Sequence, residues 1–231
     1  MKDLVLAIDT ASARGSLALL QGERLLAEYT LESPASYLNR LLPGIDRLLQ
    51  DTQRPRTGIK AVIVSSGPGN FTGLRIGMST AKGLALGLDC PVVAIPTLET
   101  LAANFPFTAL PICPVLDAKK NEVYAAFYRC DQGLPEILGD YLLVTPAALA
   151  DQVTGPTILT GPGLERYGPW WQSRLGSHAI LAPPELRHLR ASVLARLGLY
   201  RLEQGRPAFL DQLTPFYLRP AEAELHRRQI N

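Results

Sequence analysis

The chain has 231 residues, 47% of them hydrophobic, enough to bury a substantial core in one large domain or two small ones. Its 23 Lys and Arg against 21 Asp and Glu leave a net charge of +2, which argues against a domain built mainly to coat nucleic acid but leaves room for a local basic patch. Cys90, Cys113 and Cys130 form no C-x-x-C pair, no apolar run reaches the roughly 18 residues of a spanning helix, and MKDLVLAIDT runs straight into strand-like sequence. No disulfide framework, zinc site, signal peptide or membrane anchor is expected, and the protein reads as soluble and cytoplasmic.

LVLAIDTA (4–11), GSLALLQG (15–22) and RLLAEYTLE (24–32) are aliphatic runs separated by turn signals, and they predict three antiparallel strands. In SYLNRLLPGIDRLLQ the residues Leu38, Leu41, Leu42, Ile45, Leu48 and Leu49 follow helical spacing, with Pro43 expected to kink or interrupt the helix. IKAVIVSS predicts a buried strand, TGLRIGMSTAKGLALGL a helix and CPVVAIPT another strand. Further on, PICPVLDAKKNEVYAAFYR reads as a hairpin turning near Lys119 to Asn121, and Thr145 with Pro146 as a capped helix start. TILTGPG (157–163) echoes AVIVSSGPG, a weak sign of internal duplication. LRASVLARLGLYRLEQG predicts a last helix, and the tail from LTPFYLR onward reads as partly mobile.

The turn SSGPGNFTGLRIG (65–77) lies between strand and helix, where glycines permit positive φ or close approach and suggest a phosphate cradle. It is neither familiar form: Leu74 and Arg75 follow Gly73 where a P-loop needs Lys and Ser/Thr, and Gly67, Gly69 and Gly73 are spaced too widely for a dinucleotide fingerprint. Asp9 and Thr10 end the first strand where sugar kinases and actin-like ATPases carry D-x-G-T, but Ala11 follows in place of the glycine that admits a phosphate. Bonding within the turn is favoured over a working phosphate site. His178, His188 and His226 form no H-x-x-x-H pair, no G-x-S-x-G appears, and Asp117 with Glu122 could form an acid pair but read more simply as solvated turn carboxylates.

Gly73, Gly77, Gly83 and Gly87 each weaken the helix that carries them by roughly 0.8 to 1 kcal/mol relative to alanine, so packing must compensate. Gly73, Gly77, Ala81 and Ala85 make a stripe of small residues that lets another backbone come near. That backbone could belong to the chain's own sheet or to a partner.

GPGNFTGLRIG (67–77) resembles the G-P-G-S-F-T-G-[LV]-R-I-G signature of the TsaB (YeaZ) family, and LAIDTA (6–11), LLP (41–43), DAKKNEVY (117–124) and PFYLR (215–219) follow in the family's order. Asn70 stands where the family usually has serine, and Tyr37 where many relatives have histidine. The resemblance implies an α/β, actin-like ATPase (ASKHA) fold of two RNase H-like lobes, each with a mixed sheet and flanking helices. The lobes are expected over 1–100 and 101–231. It further implies a part in making tRNA threonylcarbamoyladenosine, next to the anticodon. In that family the catalytic subunit is the paralogue TsaD, which binds metal through H-x-x-x-H. A chain without that pair resembles the non-catalytic scaffold, which pairs with TsaD and acts with the small ATPase TsaE, reaching tRNA through the complex and holding no cofactor or metal itself.

The family's pairing surface maps here onto Leu38, Leu41, Leu42 and Ile45 and onto Gly73, Arg75, Gly77, Met78, Ala81 and Ala85. Asp9, Thr10, Ser12, Gly67, Gly69, Asn70 and Thr72 would be a vestigial phosphate loop. Two other readings stand beside it: an enzyme in its own right, as an actin-like ATPase, kinase or glycoprotease, or a self-contained homodimeric binding module that pairs through the same helices.

Overall fold

The computed structural model describes residues 3–32, 37–205, 210 and 212–219. The first half is a five-stranded sheet in the order β3-β2-β1-β4-β5, from β1 (Leu4–Asp9), β2 (Arg14–Gln21), β3 (Arg24–Glu32), β4 (Ile59–Gly67) and β5 (Val92–Pro96). β1 to β3 form the expected antiparallel meander, while β4 and β5 join in parallel after the crossover helices α1 (Tyr37–Asp51) and α2 (Phe71–Leu88). Both faces of the sheet are covered, which is why β1 is apolar from Leu4 to Ile8 rather than alternating. Leu6 and Ile8 pack with Leu41, Ile45, Met78 and Ala81 of α1 and α2. Val5 and Ala7 face the other way, onto Leu194 and Leu197 of α6 (Ala191–Glu203).

Pro43 lies inside α1, which runs through it. Leu41, Ile45 and Leu48 are fully buried on the sheet, and that burial outweighs the backbone bond that proline removes.

The second half repeats the first. β6 (Thr108–Lys119), β7 (Glu122–Ala125), β10 (Leu142–Val144), β11 (Thr157–Thr160) and β12 (Ala179–Leu181) lie in the order β10-β7-β6-β11-β12, again three antiparallel strands followed by two parallel ones. The short strands β8 (Tyr128–Cys130) and β9 (Glu136–Ile137) extend this sheet from β6. The crossovers are α4 (Pro146–Ala150), where Thr145 Oγ1 accepts from the Ala148 amide at 3.2 Å, and α5 (Leu164–Leu175). The hairpin turns where expected, with Lys119, Lys120 and Asn121 all at positive φ. The GPG echo is thus a true repeat of position: Gly67 and Gly161 each end a parallel strand at positive φ, +114° and +102°.

Two helices link the two sheets. α3 (Thr97–Ala102) leaves the first sheet to pack on β6 and β8, and α6 returns from the second half to cover the first sheet.

Candidate functional site

The two halves meet at a cleft of about 380 Å³ lined by, among others, Asn70, Phe71, Asp117, Lys119, Tyr124 and Arg166. The duplicated topology dictates this, because the ends of the equivalent strands β1 and β6 and the first turns of the equivalent helices α2 and α5 face each other across it.

On the first wall the glycine loop is closed onto the chain itself. The Asn70 amide donates to the Ala11 carbonyl at 2.7 Å, and a Cβ on Gly69 would lie 2.3 Å from that same oxygen. Asn70 caps α2, its side chain accepting from the Gly73 amide at 2.8 Å, a task asparagine performs as well as serine. Ser12 Oγ donates to the Arg14 carbonyl at 2.7 Å, and Thr72 is exposed on the first turn of α2. A phosphate would need donors and the space between loop and turn; the Asn70 and Gly73 amides, the Ser12 hydroxyl and the space between Gly69 and Ala11 are taken. Residues at this wall do not fit a nucleotide phosphate.

Asp9 is 1% exposed, with Oδ1 accepting from the Ala11 amide at 3.2 Å and Oδ2 without a partner. Burial pushes its carboxyl up to about 6, only partly opposed by the Ser65 hydroxyl and the Ala11 amide. Tyr37 closes the same corner: its hydroxyl donates to the Ser12 carbonyl at 2.6 Å, and its ring occupies the space a side chain at Gly15 would need.

On the second wall Asp117 repeats the local geometry, Oδ1 accepting from the Lys119 amide at 2.8 Å, but its surroundings are polar. Burial raises this carboxyl, and the Lys119 amide and ammonium together with Arg166 more than reverse that, holding it below the usual carboxylate range. Glu122 pairs with Arg219. Separately paired carboxylates, one of them held low, are not an acid and base set for neutral pH. Among the described residues no three His, Cys, Asp or Glu side chains gather to hold a metal; His226 lies outside them.

The PFYLR segment, expected to be part of a mobile tail, joins the two walls, while residues 220–231 lie outside the described residues. The Phe216 amide donates to the Ser66 carbonyl at 2.7 Å, and the Phe216 carbonyl fills the space beside Gly67. Tyr217 stacks on Phe71 at 4.9 Å and accepts from Arg75 Nε at 3.1 Å, while Arg219 donates to the Ala118 carbonyl at 2.6 Å. Arg219→Ala leaves that carbonyl and Glu122 unpaired, so a loss of about 1 to 3 kcal/mol is expected in urea denaturation. Unchanged stability would mean that the strap does not hold the halves together.

Of the residues expected at a partner surface, the structure places Leu41, Ile45, Gly73, Gly77, Met78, Ala81 and Ala85 in the chain's own core. A Cβ on Gly73 would lie 2.1 Å from the Thr10 carbonyl and one on Gly77 2.1 Å from Thr10 Oγ1, which itself donates to the Gly73 carbonyl at 2.7 Å. This small-residue stripe therefore faces β1 and is not available to a partner. Leu42, 52% exposed, and Arg75 remain outward; Leu38 is in the helix, its side chain outside the described residues. The outward stripe of α2 is Arg75, Ser79, Gly83 and Leu86, with Leu86 75% exposed and nothing within 4 Å of a Cβ on Gly83 or Gly87. The sequence did hold this signal: two further helix glycines out of phase with the first stripe.

Residues 31–160 match the family model described as TsaD, tRNA N6-adenosine threonylcarbamoyltransferase. The chain is 32% identical to the tRNA threonylcarbamoyladenosine biosynthesis protein TsaB of Bacillus subtilis, covering 95% of this chain and 96% of that one. A crystal structure from Pseudomonas aeruginosa, of a protein with similarity to the peptidase YeaZ, superposes with a TM-score of 0.80 at 27% identity over 94% of this chain and 100% of the other. A ROK hexokinase from Thermus thermophilus shares the fold alone, with a TM-score of 0.53 and 12% identity over 87% of this chain and 100% of the other.

Proposed function

The chain belongs to the TsaB (YeaZ) family, and from that premise we propose that it is a non-catalytic scaffold in tRNA threonylcarbamoyladenosine synthesis, pairing with a TsaD-type catalytic paralogue through the outward faces of α1 and α2. The observation that carries this reading is the outward stripe of α2. Gly83 and Gly87 weaken the helix by roughly 1 kcal/mol each and meet nothing within the chain, so an approaching helix accounts for them where internal packing does not. Leu86 on α2 and Leu42 on α1, two helices in contact, are exposed apolar side chains that a partner would cover. The closed loop, and an Asp9 that is buried and bonded to the Ala11 amide within its own turn, support the absence of catalysis. A TsaE-type ATPase and tRNA join through the complex in the cytoplasm, and without the paralogue a second copy of the chain takes the same face.

Gly83→Leu tests this. Leucine has space in the free chain and favours helix, so the melting temperature should stay level or rise, while pairing with the paralogue in sedimentation should weaken tenfold or more. A folded variant that pairs as tightly as wild type rules out this face. Threonylcarbamoyl transfer to tRNA by the chain without the paralogue would rule out the scaffold role.

A further inference from the structure

α5 is the counterpart of α2 in the second half, and its inner side is fully used. Leu164, Tyr167, Gly168 and Trp171 are buried, and Trp171 Nε1 donates to the Pro146 carbonyl at 3.0 Å. The outer side presents Arg166, Trp170 and Arg174 at successive four-residue steps, a line about 12 Å long at 1.5 Å rise per residue. Trp170 is 43% exposed, an unusual place for so large an apolar ring beside a fully buried tryptophan. Lys119 extends the line, because its ammonium and the Arg166 guanidinium both lie 3.3 Å from Asp117 Oδ2.

We propose that this face contacts RNA, stacking an unpaired base of the tRNA substrate on Trp170 between phosphates held by Arg166 and Arg174. The proposal rests on the tRNA-modification reading and adds a direct contact by this chain. The alternation of a flat ring with positive charges one helical turn apart is the chemistry that single-stranded nucleic acid requires: every base offers a face to stack, and every linkage offers an anion. The carboxylates nearby are Asp117, Glu165 and Asp151. Asp151 holds Arg174 at 3.6 Å with both side chains mostly exposed, a weak pair that a phosphate can replace. Asp117 keeps Lys119 when Arg166 turns outward. The main packing of α5 is against α4, β6 and β12, on the side opposite Trp170.

The test uses the complex reconstituted with the TsaD-type and TsaE-type subunits and unmodified tRNA. Trp170→Ala should raise the KM for tRNA about tenfold or more at unchanged kcat and unchanged pairing, and Trp170→Phe, which keeps a ring, should recover most of the loss. Arg166→Gln and Arg174→Gln should each lower the slope of log affinity against log salt by about one. Wild-type KM and salt slope in a properly paired Trp170→Ala complex overturns the proposal, as does loss of TsaE-type binding at unchanged RNA affinity, which makes the face a protein site. Quenching of Trp170 fluorescence by tRNA gives a reading independent of turnover. A complex that quenches but does not modify tRNA refutes the functional reading and leaves this contact standing; one that modifies tRNA without quenching does the reverse.

Discussion

Gly77→Ala is expected to cost the free chain about 2 to 3 kcal/mol, a drop of about 5 to 10 °C in melting temperature for a protein of this size. The new methyl group would lie 2.1 Å from Thr10 Oγ1, far inside contact distance, and the roughly 1 kcal/mol that alanine adds to helix propensity does not offset that overlap. Because the obstacle at Gly77 is a side chain, Thr10→Ala should restore part of the loss in the double variant, giving a measurable coupling. Gly73→Ala meets the Thr10 carbonyl oxygen instead, at 2.1 Å, so Thr10→Ala should not rescue it. Gly83→Ala is the control and should stabilise by roughly 1 kcal/mol, since nothing lies within 4 Å of its Cβ. A wild-type melting temperature for Gly77→Ala would mean that α2 does not rest on the end of β1.

Asp9→Asn should stabilise the chain at neutral pH and do so less as the pH falls. Desolvation raises the folded-state carboxyl from 3.8 to about 6, so the folded form holds its proton over a range where the unfolded chain has lost it. Wild-type stability therefore declines as pH rises from about 4 to about 6 and is level above that. At about 1.4 kcal/mol per pH unit, the gap amounts to about 3 kcal/mol. Asparagine carries no such charge, and its amide can still accept from the Ala11 amide as Asp9 Oδ1 does. Urea denaturation of both proteins at pH 4 and pH 8 reads the difference: an advantage for Asp9→Asn that grows toward pH 8 is the expected result, and a constant or reversed difference contradicts the desolvated carboxylate. Magnesium with ATP should leave the wild-type melting temperature unchanged, because a ligand of the native state would raise it by mass action.

The strands of the first sheet, α1, α2, the 119–121 hairpin, the start of α4 and α6 could be read from the sequence because each rests on local information, whereas α3, α5 and the short strands β8, β9, β10 and β12 carried no such signal. The aliphatic runs of β1, β2 and β4, the spacing of Leu41, Ile45 and Leu48, and the cap at Thr145 are set by residues within a few positions of one another. The GPG echo anticipated the duplicated sheets, since a strand that must turn sharply into a helix meets the same backbone requirement in both halves. Which side of α2 faces inward was not local. Gly73 with Gly77 and Gly83 with Gly87 are equivalent by composition and spacing, and only the seating of α2 on Thr10 turns the first pair onto the chain's own sheet and the second pair outward. The role of PFYLR was equally hidden, because its partners Ser66, Phe71 and Ala118 lie roughly 100 to 150 positions away and come together only once both sheets have formed. Sequence alone thus determined the elements of the first sheet with its two crossover helices and the family, while tertiary structure decided the short elements of the second half and what each surface meets, because burial and contact depend on residues distant along the chain.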